Sequence, residues 1–330
     1  MNEVDTQRSA FVTGATGCIG SALVAKLVHD GWRVVALVRN RNHASHLPER
    51  IEIVEASLAD REQIATAMQD CRTVFHLAAK VHAPQGTPLK DFERENVAGT
   101  RNVVAAAIEN KVERFIFFST VAVYGESEKI QDETRFPRPA TAYGSSKFDA
   151  ELIVLSEAEL NATVLRLPVV YGARDRGNVA RLIQAIRQNR YFLVGDGQNL
   201  KSMVAVENVV DAALLVALDE RAIGQTYNVT DGRPYSQEEI AATIAELLGR
   251  RKPAKLPRWL LMLAGKTGDF IETLFGVELP ISSDHIQKLS SNTVFSAAKI
   301  KRELEFEPRV DLREGLIQAI KAISNSRSGI

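Results

Sequence analysis

Tyr143 and Lys147 stand four residues apart in Tyr143-Gly144-Ser145-Ser146-Lys147. On a helix that spacing puts both side chains on one face. A phenol whose pKa is about 10 is a poor acid or base at neutral pH. A neighbouring ammonium favours its phenolate, as does an oxidised nicotinamide cation. The tyrosine can then pass a proton to or from an alcohol oxygen while hydride moves at the carbon. The lysine can also hold the nicotinamide ribose. Tyr-x-x-x-Lys alone is a common pattern, so the chemistry needs further members. One is Thr120, in Phe117-Phe118-Ser119-Thr120, at the carboxyl end of a β-rich run. Ligands bind at such strand ends in open parallel sheets, and Thr120 can hydrogen-bond a substrate oxygen.

The other is Gly14-Ala15-Thr16-Gly17-Cys18-Ile19-Gly20, directly after Ala10-Phe11-Val12-Thr13. One glycine permits the tight turn, one admits a pyrophosphate to the backbone, and one lets the next helix pack on the strand. The helix N-terminus then presents free N–H groups and a partial positive charge to the phosphates. The second strand ends in Val38-Arg39-Asn40-Arg41, without a carboxylate for ribose hydroxyls. Arg39 can hold a 2′-phosphate and stack on adenine, which favours NADP over NAD, unless Arg39 and Arg41 are simply solvated.

These residues need a scaffold that brings strand ends together. Short β-rich runs (Ser9–Thr13, Arg33–Val38, Ile51–Val54, Thr73–Leu77, Arg114–Ser119, Ala162–Leu167, Thr226–Val229) alternate with helical patterns at Ile19–Val28, Asp60–Met68, Val97–Ile108 and Ser145–Leu155. The alternation predicts βαβ units: an α/β fold of the Rossmann type, with a doubly wound, mainly parallel seven-stranded sheet. Residues 1–172 form the dinucleotide-binding domain, its sheet completed by about 204–230. Residues 173–203 and 231–330 form a smaller, mostly helical substrate lobe, with helices over Val179–Gln188 and Leu312–Ile323 and a turn at Gly195-Asp196-Gly197. Asp60 with Gln63 three residues on marks a helix start. Ser324–Ile330 reads as a disordered tail.

Among 330 residues, 45% are hydrophobic and 25% charged, and 41 basic residues balance 41 acidic ones. That is a soluble globular composition with no reason to expect nucleic acid. Two cysteines, Cys18 and Cys71, do not make a disulfide framework, and Cys18 reads as a small apolar residue of the glycine turn. Met1–Arg8 is polar rather than a secretory leader, and the protein is expected to be cytoplasmic. Trp259–Ala264 is too short for a bilayer span of about 20 residues, and is expected to be a buried or lobe-capping helix. His76 reads as a satisfied core histidine. His43 and His46 lack partners at metal-ligand spacing, so no metal is expected.

Taken together, the glycine turn, Val74-Phe75-His76-Leu77-Ala78-Ala79, Asn96-Val97-Ala98-Gly99-Thr100, Ser119-Thr120 through Val123-Tyr124-Gly125, Tyr143-x-x-x-Lys147 and Leu165-Arg166-Leu167-Pro168-Val169-Val170-Tyr171-Gly172 resemble the extended short-chain dehydrogenase/reductases, the NAD-dependent epimerase/dehydratase group. The resemblance covers nearly the whole chain. It implies that Thr120, Tyr143 and Lys147 form a catalytic triad with Asn96 in support. It implies cofactor contacts from Gly14, Thr16, Gly17, Cys18, Ile19 and Gly20 in the turn, from Arg39, Leu77, Ala78, Ala79 and Lys80, and from Ser119, Tyr143, Lys147 and Pro168. Ser57 and Leu58 occupy the adenine position, where the family usually has an acid.

Within the family, 4,6-dehydratases carry an acid pair after the Ser-Thr. Here those positions are Val121 and Ala122, which cannot transfer a proton, so dehydration by that route is not expected. Epimerases and ketoreductases remain. The second half resembles nucleotide-sugar 4-reductases and 4-epimerases, through Tyr171 to Asn178, Asn199 to Asn208 and Val229 to Gly232. By that resemblance Asn178 and Lys201 hold the diphosphate, and Lys80, Thr120, Val121 and Tyr143 face the substrate; His82 could also reach it. Where relatives often have arginine, Lys201 keeps the charge without the bidentate fork. A reductase of steroid-like or flavonoid-like ketones and a non-catalytic dinucleotide sensor are the alternatives. The helices at Val97–Ile108 and Ser145–Leu155 are expected to pair with a second copy as a homodimer, also by resemblance.

Overall fold

The structure, a computed structural model, describes residues 5–81, 83–84, 86–175, 177–257 and 291–325. His82, Arg176, the run Trp259–Ala264 and the end of the tail lie outside the described residues. The chain order is β1 (Asp5–Thr13), α1 (Cys18–His29), β2 (Trp32–Val38), β3 (Glu52–Glu55), α2 (Arg61–Ala67), β4 (Thr73–His76), α3 (Leu89–Phe92), α4 (Ala98–Glu109), β5 (Arg114–Thr120), α5 (Ala142–Ser156), β6 (Ala162–Leu167), β7 (Val169–Tyr171), α6 (Asn178–Arg187), β8 (Leu193–Val194), β9 (Leu200–Lys201), β10 (Met203–Ala205), α7 (Val206–Leu218), β11 (Thr226–Asn228), β12 (Tyr235–Ser236), α8 (Gln237–Leu247), β13 (Lys255–Leu256), α9 (Ala298–Leu304) and α10 (Leu312–Asn325).

Seven strands form one sheet in the order β11-β6-β5-β4-β1-β2-β3. Every neighbouring pair is parallel. A parallel sheet covered by helices buries both faces of its strands, so the strands read as apolar runs. All of β6 and the middle of β5 are buried. Successive residues serve opposite faces. Val12, Phe75 and Ile116 pack with Leu23 and Val24 of α1 and Val209 and Val216 of α7. Phe11, Val74 and Phe117 pack with Ile64 of α2, Val103 of α4 and Val154 of α5. After β3 the chain returns to the other side of β1 to form β4. The ends of β1 and β4 therefore lie at the topological switch point, where such sheets take their ligands.

Several boundaries differ from the sequence reading for local reasons. The helix expected from Ser145 begins at Ala142, because the Thr141 hydroxyl caps it by accepting from the Gly144 N–H at 3.0 Å. That extra turn places Tyr143 inside α5. The helix expected from Val97 is α4, preceded by a π-helical turn over Glu93–Val97. Asp60 caps α2 as expected, accepting from Gln63 N–H at 3.1 Å. The final helix runs to Asn325, into the segment expected as a tail.

The second half has its own core, in which Ile183 of α6, Ile240 and Ile244 of α8 and Leu316 of α10 pack together. The pairs β7/β10, β9/β12 and β8/β13 add short strands to this largely helical region. Asp231 fastens its strands β7 and β10 to α7, which packs on the seven-stranded sheet. Its carboxylate accepts from Tyr171 Oη at 2.7 Å, Asn208 Nδ2 at 2.7 Å and the Ala205 N–H at 2.8 Å.

Candidate active site

The glycine turn separates two kinds of glycine. Gly14 has φ +69°, and a Cβ there would sit 2.7 Å from Ala78 N, in the loop leaving β4. A Cβ at Gly20 would sit 2.2 Å from Gly14 O, so α1 could not pack on the turn. These two are required by the protein's own backbone. A Cβ at Gly17 would meet only Gly14 O, at 3.3 Å, among the described residues. Gly17 is exposed and is the N-cap of α1, where no side chain caps the helix. The N-terminal N–H groups and partial positive charge of α1 are thus left for an anion. Cys18 turns the other way, donating to Ala173 O at 3.2 Å. Burial first, then the charges of Asp175 and Glu207, push its thiol up to about 12. Both cysteines are free thiols.

Behind the turn, His76 ties the strand ends together. Its Nδ1 lies 2.7 Å from Thr13 Oγ1 and its Nε2 lies 3.0 Å from Thr100 Oγ1. Burial, and then the Lys147 charge, push it down to about 3, so it is a neutral core histidine. Thr13 Oγ1 also accepts from the Ala78 N–H at 3.1 Å. Asn96, buried in the π-helical turn, clamps the loop after β4 to α5. Its Oδ1 accepts from the Lys80 N–H at 2.7 Å, and its Nδ2 donates to Lys80 O at 3.2 Å and Ser146 Oγ at 2.9 Å. These contacts occupy the side chain, which acts by holding its neighbours.

Thr120, Tyr143 and Lys147 converge at the end of β5. Thr120 ends that strand and caps a 3₁₀ turn over Val121–Tyr124, its hydroxyl accepting from the Ala122 N–H at 3.2 Å. A Cβ on Gly144 would come within 2.7 Å of Ala122 O. Glycine there lets the first turn of α5 lie directly on the turn after Thr120. The Tyr143 phenol is thereby brought close enough for the Thr120 hydroxyl to act on it. One turn on, Lys147 Nζ lies 4.0 Å from the Phe117 ring centroid, a cation–π contact.

Burial pushes Tyr143 up to about 12, with the Thr120 hydroxyl pulling back. Burial pushes Lys147 down to about 7, with the Glu151 charge opposing. Desolvation penalises the charged form of both groups, and it outweighs their local partners. The Ser119 hydroxyl is buried beside Thr120 without a hydrogen-bond partner among the described residues.

The sequence pattern of the NAD dependent epimerase/dehydratase family matches residues 10–230. The chain belongs to this family. The N-acetyl-alpha-D-glucosaminyl-diphospho-ditrans,octacis-undecaprenol 4-epimerase of Escherichia coli O157:H7 is 31% identical over 298 residues, covering 88% of this chain and 88% of that protein. A 4-hydroxy-2-methyl-3-oxo-4-farnesyl-3,4-dihydroquinoline-1-oxide ketoreductase of Stigmatella aurantiaca is 29% identical over 316 residues, covering 93% and 94%. Among solved structures, MoeE5 in complex with UDP-glucuronic acid and NAD superposes with a TM-score of 0.77 at 28% identity, over 96% of this chain and 99% of that one.

As a family member the chain is an enzyme of NAD-dependent oxidoreductase type, and its switch point fits a dinucleotide. The uncapped α1 end and the space at Gly17 suit a pyrophosphate, and the Ser119 hydroxyl, without a hydrogen-bond partner among the described residues, is left for a further group at the end of β5. The remaining expected positions are more scattered. Leu77 to Lys80 and Pro168 are half-buried at strand ends, and Ile19 and Thr16 are half-buried in the turn. Ser57 Oγ accepts from the Ala59 N–H at 3.2 Å, and Leu58 packs where a Cβ on Gly99 would lie 3.0 Å away. Arg39 is 82% exposed and Nη1 is 3.5 Å from Glu95, whose other oxygen lies 3.9 Å from Lys80 Nζ. Asn178 heads α6 and accepts from Arg181 at 3.0 Å. Lys201 Nζ donates to Ser291 O at 2.8 Å and to Thr293 Oγ1 at 3.1 Å, and burial lowers its pKa. The sequence reading missed Glu95, which counters Arg39, and the buried pair Glu151–Arg166. Arg166 did carry a signal, since a cation in the otherwise uncharged, largely apolar run Ala162–Leu167 demands a buried anion.

Proposed function

We propose that this protein is a 4-epimerase or 4-ketoreductase of a sugar carried on a diphosphate. The observation that carries the proposal is the convergence of Thr120, Tyr143 and Lys147 at the same carboxyl edge of the sheet as the open α1 end. The dinucleotide, when bound, accepts or returns a hydride at its nicotinamide. Thr120 orients the sugar hydroxyl, and Tyr143 takes its proton or gives it back. Lys147 holds the nicotinamide ribose. With Tyr143 pushed up to about 12, its ionisation needs the added positive charge of an oxidised nicotinamide. Val121 and Ala122 offer no proton for dehydration.

Residues 1–172, with the sheet completed by 204–230, hold the dinucleotide in this reading. Residues 173–203 and 231–330 hold the substrate, with Asn178 and Lys201 toward the diphosphate. The Escherichia coli relative, named for a sugar diphospho-lipid, and the solved complex, with a UDP-sugar, support the shared sugar diphosphate. Arg39 tilts the cofactor toward NADP: its exposed guanidinium would exchange Glu95 for a 2′-phosphate. The ketoreductase relative favours a second reading, reduction of an apolar ketone.

Two measurements on the purified protein decide. UDP should raise the melting temperature by several degrees at saturating concentration if a nucleotide diphosphate is recognised. Mass spectrometry of released cofactor should find tightly held dinucleotide for an epimerase, or an emptied site that takes up NADPH for a reductase. No stabilisation by UDP, together with no turnover of UDP-hexoses, UDP-4-keto sugars or a polyprenyl-diphospho sugar, sinks the sugar reading in favour of the ketone.

A further inference from the structure

One turn beyond Lys147, α5 carries a carboxylate with almost no access to solvent. Glu151 and its partner Arg166 on β6 are both buried. Arg166 Nε donates to Glu151 Oε1 at 3.1 Å and Oε2 at 3.2 Å, and Nη2 donates to Oε2 at 2.6 Å. The guanidinium also lies 4.7 Å from the Tyr124 ring centroid. Tyr124 closes the turn that Thr120 opens, and its hydroxyl donates to Asn228 Oδ1 on β11 at 2.8 Å. One ion pair thus touches the helix carrying Tyr143 and Lys147, and the turn carrying Thr120. Buried ion pairs are poor sources of stability, since apolar residues of equal volume often do as well. Their two-point geometry does fix register.

We propose that Glu151 and Arg166 are positioning residues for Lys147 in dinucleotide binding: their bidentate pair fixes α5 on β6 and sets the field in which the Lys147 ammonium works. Among the described residues these groups bear on Lys147. Its own helix supplies Tyr143 and Glu151. From β4 comes His76, held neutral by burial. From β5 comes the Phe117 ring. Arg166, from β6, acts through Glu151. The one charge that opposes the burial of Lys147 is Glu151, and Arg166 sets how much of that charge is neutralised.

The inference rests on Lys147 holding the dinucleotide, and not on which substrate is used. The test is dinucleotide affinity by calorimetry between about pH 5.5 and pH 9.5, alongside melting curves. Lys147 must be protonated to bind, so wild-type affinity should fall as pH rises through about 7. Glu151→Gln keeps the shape but leaves Arg166 as an uncompensated cation, so the fall should come about one pH unit lower. Arg166→Gln leaves the carboxylate unshielded, so the fall should come about one pH unit higher. The double variant should return close to wild type. A role in packing alone would lower the melting temperature without moving the two midpoints in opposite directions. If Glu151→Gln does not fold, the Arg166→Gln arm stands by itself. A wild-type slope with unmoved midpoints in the folded variants overturns the inference alone. A flat wild-type profile overturns the role of Lys147, and the inference with it.

Discussion

Burial keeps the Tyr143 phenol neutral and brings the Lys147 ammonium down to about 7, and the chemistry must work against both shifts. Tyr143→Phe removes the proton carrier but leaves the ring against Phe92, at 6.3 Å between centroids. Turnover should fall by about 10²- to 10⁴-fold with dinucleotide affinity within about threefold, read from steady-state kinetics and calorimetry. Equal losses in both would mean that the tyrosine acts through binding. Arg39 is the residue on which the cofactor preference rests. Arg39→Ala should weaken NADPH binding by roughly tenfold and leave NADH binding unchanged. An equal effect on both would return Arg39 to the solvated side chains. These single positions were visible in the sequence because they sit in motifs. Glu95 was not, because its approach to Arg39 depends on how the π-helical turn packs beside β2.

At the scale of elements, the glycine turn makes a sharp separation of stability from binding. Gly20→Ala would place a methyl 2.2 Å from Gly14 O, where only a shift of α1 relieves it. The expected loss is about 2–3 kcal/mol or more, visible as a lower melting temperature. Gly17→Ala meets one contact at 3.3 Å and should fold nearly as wild type, yet bind dinucleotide at least about tenfold more weakly. Matching effects of the two substitutions on the melting temperature would sink this division. Sequence alone identified the three glycines but not which partner needs each of them. It also read α5 from Ser145, because Thr141 was not taken as its cap. The Glu151–Arg166 pair escaped for a related reason: it spans 15 residues and depends on the register of a helix against a strand.

At the scale of the molecule, the sheet was legible because parallel strands buried on both faces are nearly continuous apolar runs bounded by turns. The second half was less so. Its strands β8, β9, β12 and β13 are two residues each, too short for any period to show. The outer face of α5 belongs to this scale too. Leu152 is 52% exposed and Leu155 is 40% exposed, in the helix expected to meet a second copy. A wild-type dimer that Leu152→Asp converts to monomer, by light scattering on the eluting peak, is the expected outcome; a wild-type monomer at working concentration removes the interface.

The Asn96 clamp has a consequence in time as well as in space. Because the Lys80 N–H is donated to a buried amide that also grips Ser146, the loop and α5 can part only when Asn96 lets go of one of them. The Lys80 amide should therefore resist hydrogen exchange as slowly as the neighbouring strands, while Gly86 and Thr87 in the same connection exchange quickly. If Lys80 exchanges as fast as they do, the two walls of the site open independently. If it is slow, the site is already assembled before any ligand arrives.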